Sequence, residues 1–469
     1  MDDPSADAGV DLSAVRHVHV TNVGGAGMSA VATLLVQMGH RVSGHEPAAD
    51  TPFLGPLRAL GVSITTGDAE PQLAPGVDVV VVSTATPSDH PDLIEARRRG
   101  VPVLHRSRAL AAICEQREVV AVAGTHGKTT TSALLATVLV GAGTDPGWVV
   151  GAGVAGLGSS ASWGGAGPLV VEADESDGTF LALGADAAIV TNVEPDHLEH
   201  WGGEAALRAA FVEFVAAVDG PTVLCLDDPG AAELVAVARR PLTYGTATSS
   251  AYRIDSVVPQ GTGVAFDLVH EGRTVPVALP AAPGIHNARN AAAALALAHA
   301  LGTPLEAGAA ALGAFRGVAR RFEVRGAADD VVLVDSYDHL PTEVSAALAA
   351  ARAGAWRRVV CCFQPHRFSR TEALWRSFAG AFVDADVLVV TDIYPAGEAP
   401  RPGVTGKLVA DAVLDAHPWQ HVVWLPTLDD VVGYLASTLR PGDLCITLGA
   451  GDLTSVPDAV LTRLEGRSA

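Results

Sequence analysis

The chain has 469 residues, 49% of them apolar and 18% charged, which is too long for one hydrophobic core and too apolar for disorder; two to four globular domains are expected. A formal charge of -21 excludes nucleic acid as a main partner, because a polyanion is held by lysine and arginine neutralising its phosphates. Five cysteines lack metal-ligand spacing, residues 1–11 lack the basic and apolar segments of a signal peptide, and no apolar run is long enough to span a bilayer, so a cytoplasmic protein without membrane contact is expected.

Arg16 to Val23 reads as a strand, followed by Gly24-Gly25-Ala26-Gly27 and the helical pattern Met28 to Met38. Strand, tight glycine turn and helix is the local order of a nucleotide fold, although Asn22 stands where the first glycine of G-x-G-x-x-G belongs. The turn serves either an anion at the helix N-terminus or merely close helix packing. Val77 to Ser83 and Val101 to Leu104 give further strands, and this first α/β unit ends near Glu115.

A second unit starts with the buried-strand run Val119 to Ala123. Gly124-Thr125-His126-Gly127-Lys128-Thr129-Thr130 follows, and then an apolar helix through Leu139. In such a loop backbone amides converge on phosphate oxygens, the lysine meets the β- and γ-phosphates, and the Thr129 hydroxyl faces magnesium. Lysine otherwise occurs only at Lys407. Gly141 to Gly167 is glycine- and serine-rich and reads as loop with short strands. Leu169 to Val171 then enters Glu172-Ala173-Asp174-Glu175, and Ala187 to Val190 enters Thr191-Asn192-Val193-Glu194-Pro195-Asp196-His197. Carboxylates at the ends of parallel strands face the ligand side of a sheet, so Glu172 is a candidate magnesium ligand, with His197 a ligand or an orienting group. Gly284 to Asn290 opens the helical run Ala291 to Leu301, where Asn287 and Asn290 suit either an adenine edge or a helix cap.

The third region begins around Ala319 and carries strands at Val331 to Val334, Arg358 to Phe363, Asp386 to Val390 and Cys445 to Leu448, each ending in polar residues.

The segments VGGAGM (Val23 to Met28), GTHGKTTT (Gly124 to Thr131), EADESDGTF (Glu172 to Phe180), TNVEPDHLEH (Thr191 to His200), FQPHRFSRT (Phe363 to Thr371) and YPAGE (Tyr394 to Glu398) are together similar to the Mur ligase family. The resemblance implies three domains: a Rossmann-like nucleotide-sugar domain at 1–115, a central P-loop ATPase domain at 116–318 and a C-terminal α/β domain at 319–469. It implies ATP and Mg2+ as cofactors, Lys128, Glu172, His197, Arg321, His366, Arg367 and Arg370 as catalytic, and Thr129, Glu172 and His197 as metal-associated. It places ATP on Gly124 to Thr130 and on Asn287 and Asn290.

The implied activity joins L-alanine to the carboxylate of UDP-N-acetylmuramate through an acyl phosphate, releasing ADP and phosphate. Asn22 in place of glycine, His45-Glu46 in place of Ser-Asp, His90 in place of the asparagine before Pro91, and Asp335-Ser336-Tyr337-Asp338-His339-Leu340-Pro341-Thr342-Glu343 in place of DDYAHHPTE all depart from the family pattern. They leave open a diverged ligase acting on another small carboxylate and amine. A nucleotide-gated interaction module is the alternative from a different class. A monomer or weak homodimer is expected.

Overall fold

Runs rich in Val and Ile make the sheets, since β-branched side chains pack well on a pleated surface, and glycine-punctuated turns separate them from helices. The computed structural model describes residues 11–67 and 71–468, so the leader reading at residues 1–11 lies, Asp11 apart, outside the described residues.

The first sheet contains β1 (His17–Thr21), β2 (Arg41–Glu46), β3 (Ser63–Thr66), β4 (Val79–Val82) and β5 (Val103–His105), all parallel in the order β3-β2-β1-β4-β5. Strand order reverses between β1 and β4, and the glycine turn after β1 lies at that switch point, where open α/β sheets bind ligands. The following helix, Ala26–Gln37, starts two residues before the expected Met28. Asn22 adopts a positive φ of 50°, a conformation that glycine takes freely and asparagine tolerates best among residues with a Cβ, so the departure leaves the turn intact.

The second sheet holds β6 (Val119–Ala123), β7 (Gly147–Val149), β8 (Ala161–Ser162), β9 (Leu169–Glu172), β10 (Ala187–Val190), β11 (Pro221–Cys225), β12 (Arg240–Gly245), β13 (Tyr252–Gln260), β14 (Gly263–His270) and β15 (Arg273–Leu279). Its order is β15-β14-β13-β12-β11-β10-β6-β9-β7-β8. The wholly buried β6 lies between β10 and β9, parallel to both. Both acidic strand ends therefore flank the glycine loop. The helix expected from Ala291 begins at Ile285 and runs to Ala300, so Asn287 and Asn290 sit within it and neither caps it.

The third sheet contains β16 (Glu323–Ala328), β17 (Val331–Ser336), β18 (Arg358–Phe363), β19 (Val387–Val390), β20 (His421–Trp424) and β21 (Asp443–Leu448), in the order β16-β17-β21-β18-β19-β20. Only β16 runs antiparallel, and two apolar clusters lie in this region, one containing Val334, Phe363, Phe382 and Ile446, the other Val360, Cys362, Leu435 and Val460.

By compactness the chain falls into two units. One ends its main run at Arg253 and adds Val269–Val275 and Asn290–Ala311; the other comprises Ile254–Leu268, Pro276–Arg289 and Leu312–Ala469. All five cysteines are buried and no disulfide joins them, and among the described residues no helix is long and apolar enough to cross a membrane.

Candidate active site

The glycine loop turns from β6 into helix Lys128–Gly141, and two of its glycines are required by geometry. Gly124 has φ of 130°, and a Cβ there would strike Thr191 Oγ1; Gly127 has φ of 80°, and its Cβ would come within 2.8 Å of Asn290 Oδ1. The loop is pinned from the β10 side. Asn192 Oδ1 accepts from the His126 amide at 2.8 Å, Thr191 Oγ1 donates to His126 O at 2.6 Å, and Thr125 Oγ1 accepts from the Glu194 amide at 2.9 Å. Thr130 is buried in the first turn of the helix.

Lys128 folds back over the loop. Its ammonium donates to Gly124 O at 2.8 Å, Thr125 O at 3.2 Å and Glu175 Oε2 at 2.6 Å. Burial works against the charge, but Glu175, Asp174 and Glu172 outweigh it and hold the lysine above its usual range. A cation kept charged at the first residue of a helix is what a polyphosphate requires. Beside it, Thr129 Oγ1 donates to Glu172 Oε1 at 2.8 Å while the Gly151 amide donates to Glu172 Oε2 at 2.6 Å. Hydroxyl and carboxylate together form a hard-oxygen donor set that fits magnesium.

His197 stands apart from that pair. It has φ of 51°, its Nε2 lies 3.3 Å from Asp196 Oδ2, and its imidazolium form helps to lower Asp174, whose carboxylate is stabilised chiefly by Lys128 against burial. The carboxylate that His197 meets is that of Asp196, an arrangement that suits an orienting role.

In the other unit, Asn287 Nδ2 donates to Pro283 O at 2.7 Å and to His286 Nε2 at 3.1 Å. His366, Arg367 and Arg370 gather after β18. The His366 ring stacks on Tyr394 at 5.8 Å and meets His339 edge-on at 5.5 Å, and Arg370 Nη1 donates to its Nδ1 at 3.2 Å. Burial first, then His339 and the two arginines, lowers His366 to about 4, so it is neutral at pH 7 and accepts from Arg370. Arg367 has φ of 66° and ψ of 139°, held by its amide donating to Tyr394 O at 2.9 Å and by Thr371 Oγ1 donating to its carbonyl at 2.8 Å. Such backbone strain persists only where surrounding bonds over-determine it, and here it leaves the Arg367 side chain exposed. Arg321 lies over the Tyr337 ring at 5.2 Å, beside Arg320 at 4.9 Å.

Sequence reasoning gave no role to Glu175, Asp174, Gly151, Tyr337 or His339. The first two were signalled, since a lysine that follows a wholly buried strand needs a counter-charge and both lie in the acidic run after β9. Gly151 acts through its amide, which its residue type does not announce.

The chain matches three family profiles in succession: "Mur ligase family, catalytic domain" over residues 17–118, "Mur ligase middle domain" over 122–298, and "Mur ligase, glutamate ligase domain" over 320–451. It is 46% identical to a protein of Kineococcus radiotolerans over 476 aligned positions, covering 100% of both chains, and 44% identical to one of Anaeromyxobacter dehalogenans, covering 96% of this chain and 98% of that one. Both are named UDP-N-acetylmuramate--L-alanine ligase. The crystal structure of UDP-N-acetylmuramate-alanine ligase from Thermotoga maritima superposes with a TM-score of 0.81 at 27% identity, covering 96% of this chain and 99% of that one.

Proposed function

The chain belongs to the Mur ligase family, three-domain ATP-dependent enzymes that form amide bonds, and we propose that its own reaction joins L-alanine to the carboxylate of UDP-N-acetylmuramate. The observation that carries this reading is the full-length likeness, 40–46% identity across relatives of that name, over a phosphate loop whose lysine is held charged. The same relatives point to a step in building the bacterial cell wall. Buried cysteines that form no disulfide support a reducing cytosol as the place. Domain limits at 1–115, 116–318 and 319–469 are supported by the breaks between the three sheets.

The chemistry follows from a poor acyl donor. A free carboxylate cannot lose oxide, so its oxygen attacks the γ-phosphorus of ATP, ADP leaves, and an acyl phosphate forms. The amine of L-alanine then attacks the carbonyl carbon, phosphate departs with the bridging oxygen, and the amine proton is lost. Lys128 faces the β- and γ-phosphates and offsets the repulsion between two anions brought into line. Thr129 and Glu172 would hold magnesium, which would supply further charge neutralisation at the phosphates. His197 steadies the Asp174 carboxylate, and Asn287 and Asn290 form the adenine side. Arg321 serves the phosphates, and Arg367 and Arg370 grip the amino-acid carboxylate through two-pronged N–H donors while neutral His366 fixes the angle of Arg370. In the first domain, helix Ala26–Gln37 with Arg106 against Gly27 suits the diphosphate of the nucleotide sugar.

A second reading, the same chemistry on another carboxylate or amine, draws on Asn22 Oδ1 and His45 Nδ1, both buried without a hydrogen-bond partner in the first domain. Product mass from ATP, magnesium and a panel of carboxylates and amino acids separates the two. Fast conversion of UDP-N-acetylmuramate and L-alanine alone supports the first; preference for another pair rejects it.

A further inference from the structure

A polar cluster around His45 in the first domain takes no part in the phosphoryl- and acyl-transfer steps above. His45 in β2, with His90 and Asp92 at the start of helix Pro91–Arg99, each bring a ligand atom within 4.8 Å of the others'. Asp92 is 1% exposed and His45 6%. His45 Nε2 lies 2.6 Å from Gly67 O, and a carbonyl only accepts, so that nitrogen carries a proton and, in the neutral ring, Nδ1 is the one with the lone pair. His45 Nδ1 is buried with no hydrogen-bond partner and lies 4.0 Å from Asp92 Oδ2. His90 Nδ1 is 3.8 Å from the same oxygen.

We propose that His45, His90 and Asp92 bind one divalent transition-metal ion of the zinc or cobalt class. Two imidazoles and one carboxylate suit such an ion, whereas magnesium wants oxygen ligands throughout. The supporting groups are those a metal site uses to aim its ligands. Gly67 O fixes the His45 tautomer, His19 Nε2 touches Asp92 Oδ2 at 3.3 Å while its Nδ1 meets Ser43 Oγ at 3.0 Å, and the Gln72 amide donates to Asp92 Oδ1 at 2.6 Å. Ligands bound at roughly 2.0–2.1 Å stand about 3.3 Å apart in a tetrahedron, so the three side chains draw inward by small rotations. His90 then exchanges its present acceptor role toward the Asp92 amide, at 3.2 Å, for the metal. A hydrogen-bonded His19–Asp92 pair without an ion would leave His45 Nδ1 unexplained. Two of the three ligands, His45 and His90, are also positions where this chain departs from the family pattern.

The untagged full chain, stripped with a chelator and dialysed, is titrated with Co2+ in excess Mg2+ and without nucleotide. One equivalent should bind, with the visible ligand-field bands of low-coordinate cobalt, and Zn2+ should displace it. His45→Ser and His90→Asn should each weaken binding by roughly tenfold or more, whereas Glu172→Gln, at the nucleotide site, leaves the cobalt titration unchanged. If either histidine variant fails to fold by circular dichroism, Asp92→Asn takes its place in the same titration. A parent chain that binds no equivalent, or cobalt bands that persist in a folded ligand variant, overturns the assignment.

Discussion

Replacing Lys128 with alanine perturbs catalysis and stability together, and the two can be separated. The ammonium reaches two loop carbonyls and Glu175, which is 2% exposed. Loss of a preorganised charge at transferring phosphate costs on the order of 10²–10³-fold in kcat. Loss of one partner of a buried ion pair costs about 3–5 kcal/mol. Glu175 limits that cost by taking up a proton, which requires at most about 3.7 kcal/mol at pH 7 for an ordinary glutamate and less where burial favours the neutral acid. A net loss of no more than about 3.7 kcal/mol is therefore expected for Lys128→Ala. Adding Glu175→Gln removes the stranded charge, so the double variant should regain most of that stability while turnover stays lost. Urea denaturation and single-turnover phosphate release on both variants measure the two effects. A single variant within about twofold of the parent in turnover, or a double variant no more stable than the single, refutes the reasoning.

Glu172→Gln keeps the size of a hard-oxygen ligand and removes its charge, so half-maximal rate should require about tenfold more magnesium; an unchanged magnesium curve removes Glu172 from the metal. Arg370→Lys substitutes a point charge for a planar fork and loses the bond to His366, and the KM for the amino acid should rise about tenfold with the KM for ATP unmoved; equal amino-acid KM values refute the assignment. His286 and His366 are each held at about 4 by burial first, so between 6.5 and about 4 the unfolded chain binds more protons and stability falls as pH drops through that window. Urea midpoints should decline from pH 7 to 5, less steeply in His366→Gln, and midpoints that do not change with pH contradict the burial of these rings.

What could be read from sequence was whatever local pattern dictates. Buried runs such as Val119 to Ala123 and Arg358 to Phe363 became strands with those limits, because a short apolar run ended by a glycine or proline turn has few other places to go. The placement of Glu172 and the Thr191 to His197 segment beside the phosphate loop followed from parallel strands ending on one side of a sheet. Strands β13 to β15 went unread, since exposed polar residues such as Ser256 and Arg273 dilute their apolar content and Pro276 stands within β15. The Lys128–Glu175 pair and the meeting of His45 with Asp92, 47 positions apart in sequence, depend on tertiary packing, which no local window reports. Asn22 could be recognised as a departure, but its harmlessness to the turn needed the φ angle.

The central claim is that ATP activates a substrate carboxylate as an acyl phosphate before an amine captures it. UDP-N-acetylmuramate labelled with oxygen-18 at both carboxylate oxygens, turned over with ATP and L-alanine in unlabelled water, tests it directly. One labelled oxygen should appear in the released phosphate and the other in the new amide, analysed by mass. Phosphate released without label, or product that forms without ATP, would contradict the account.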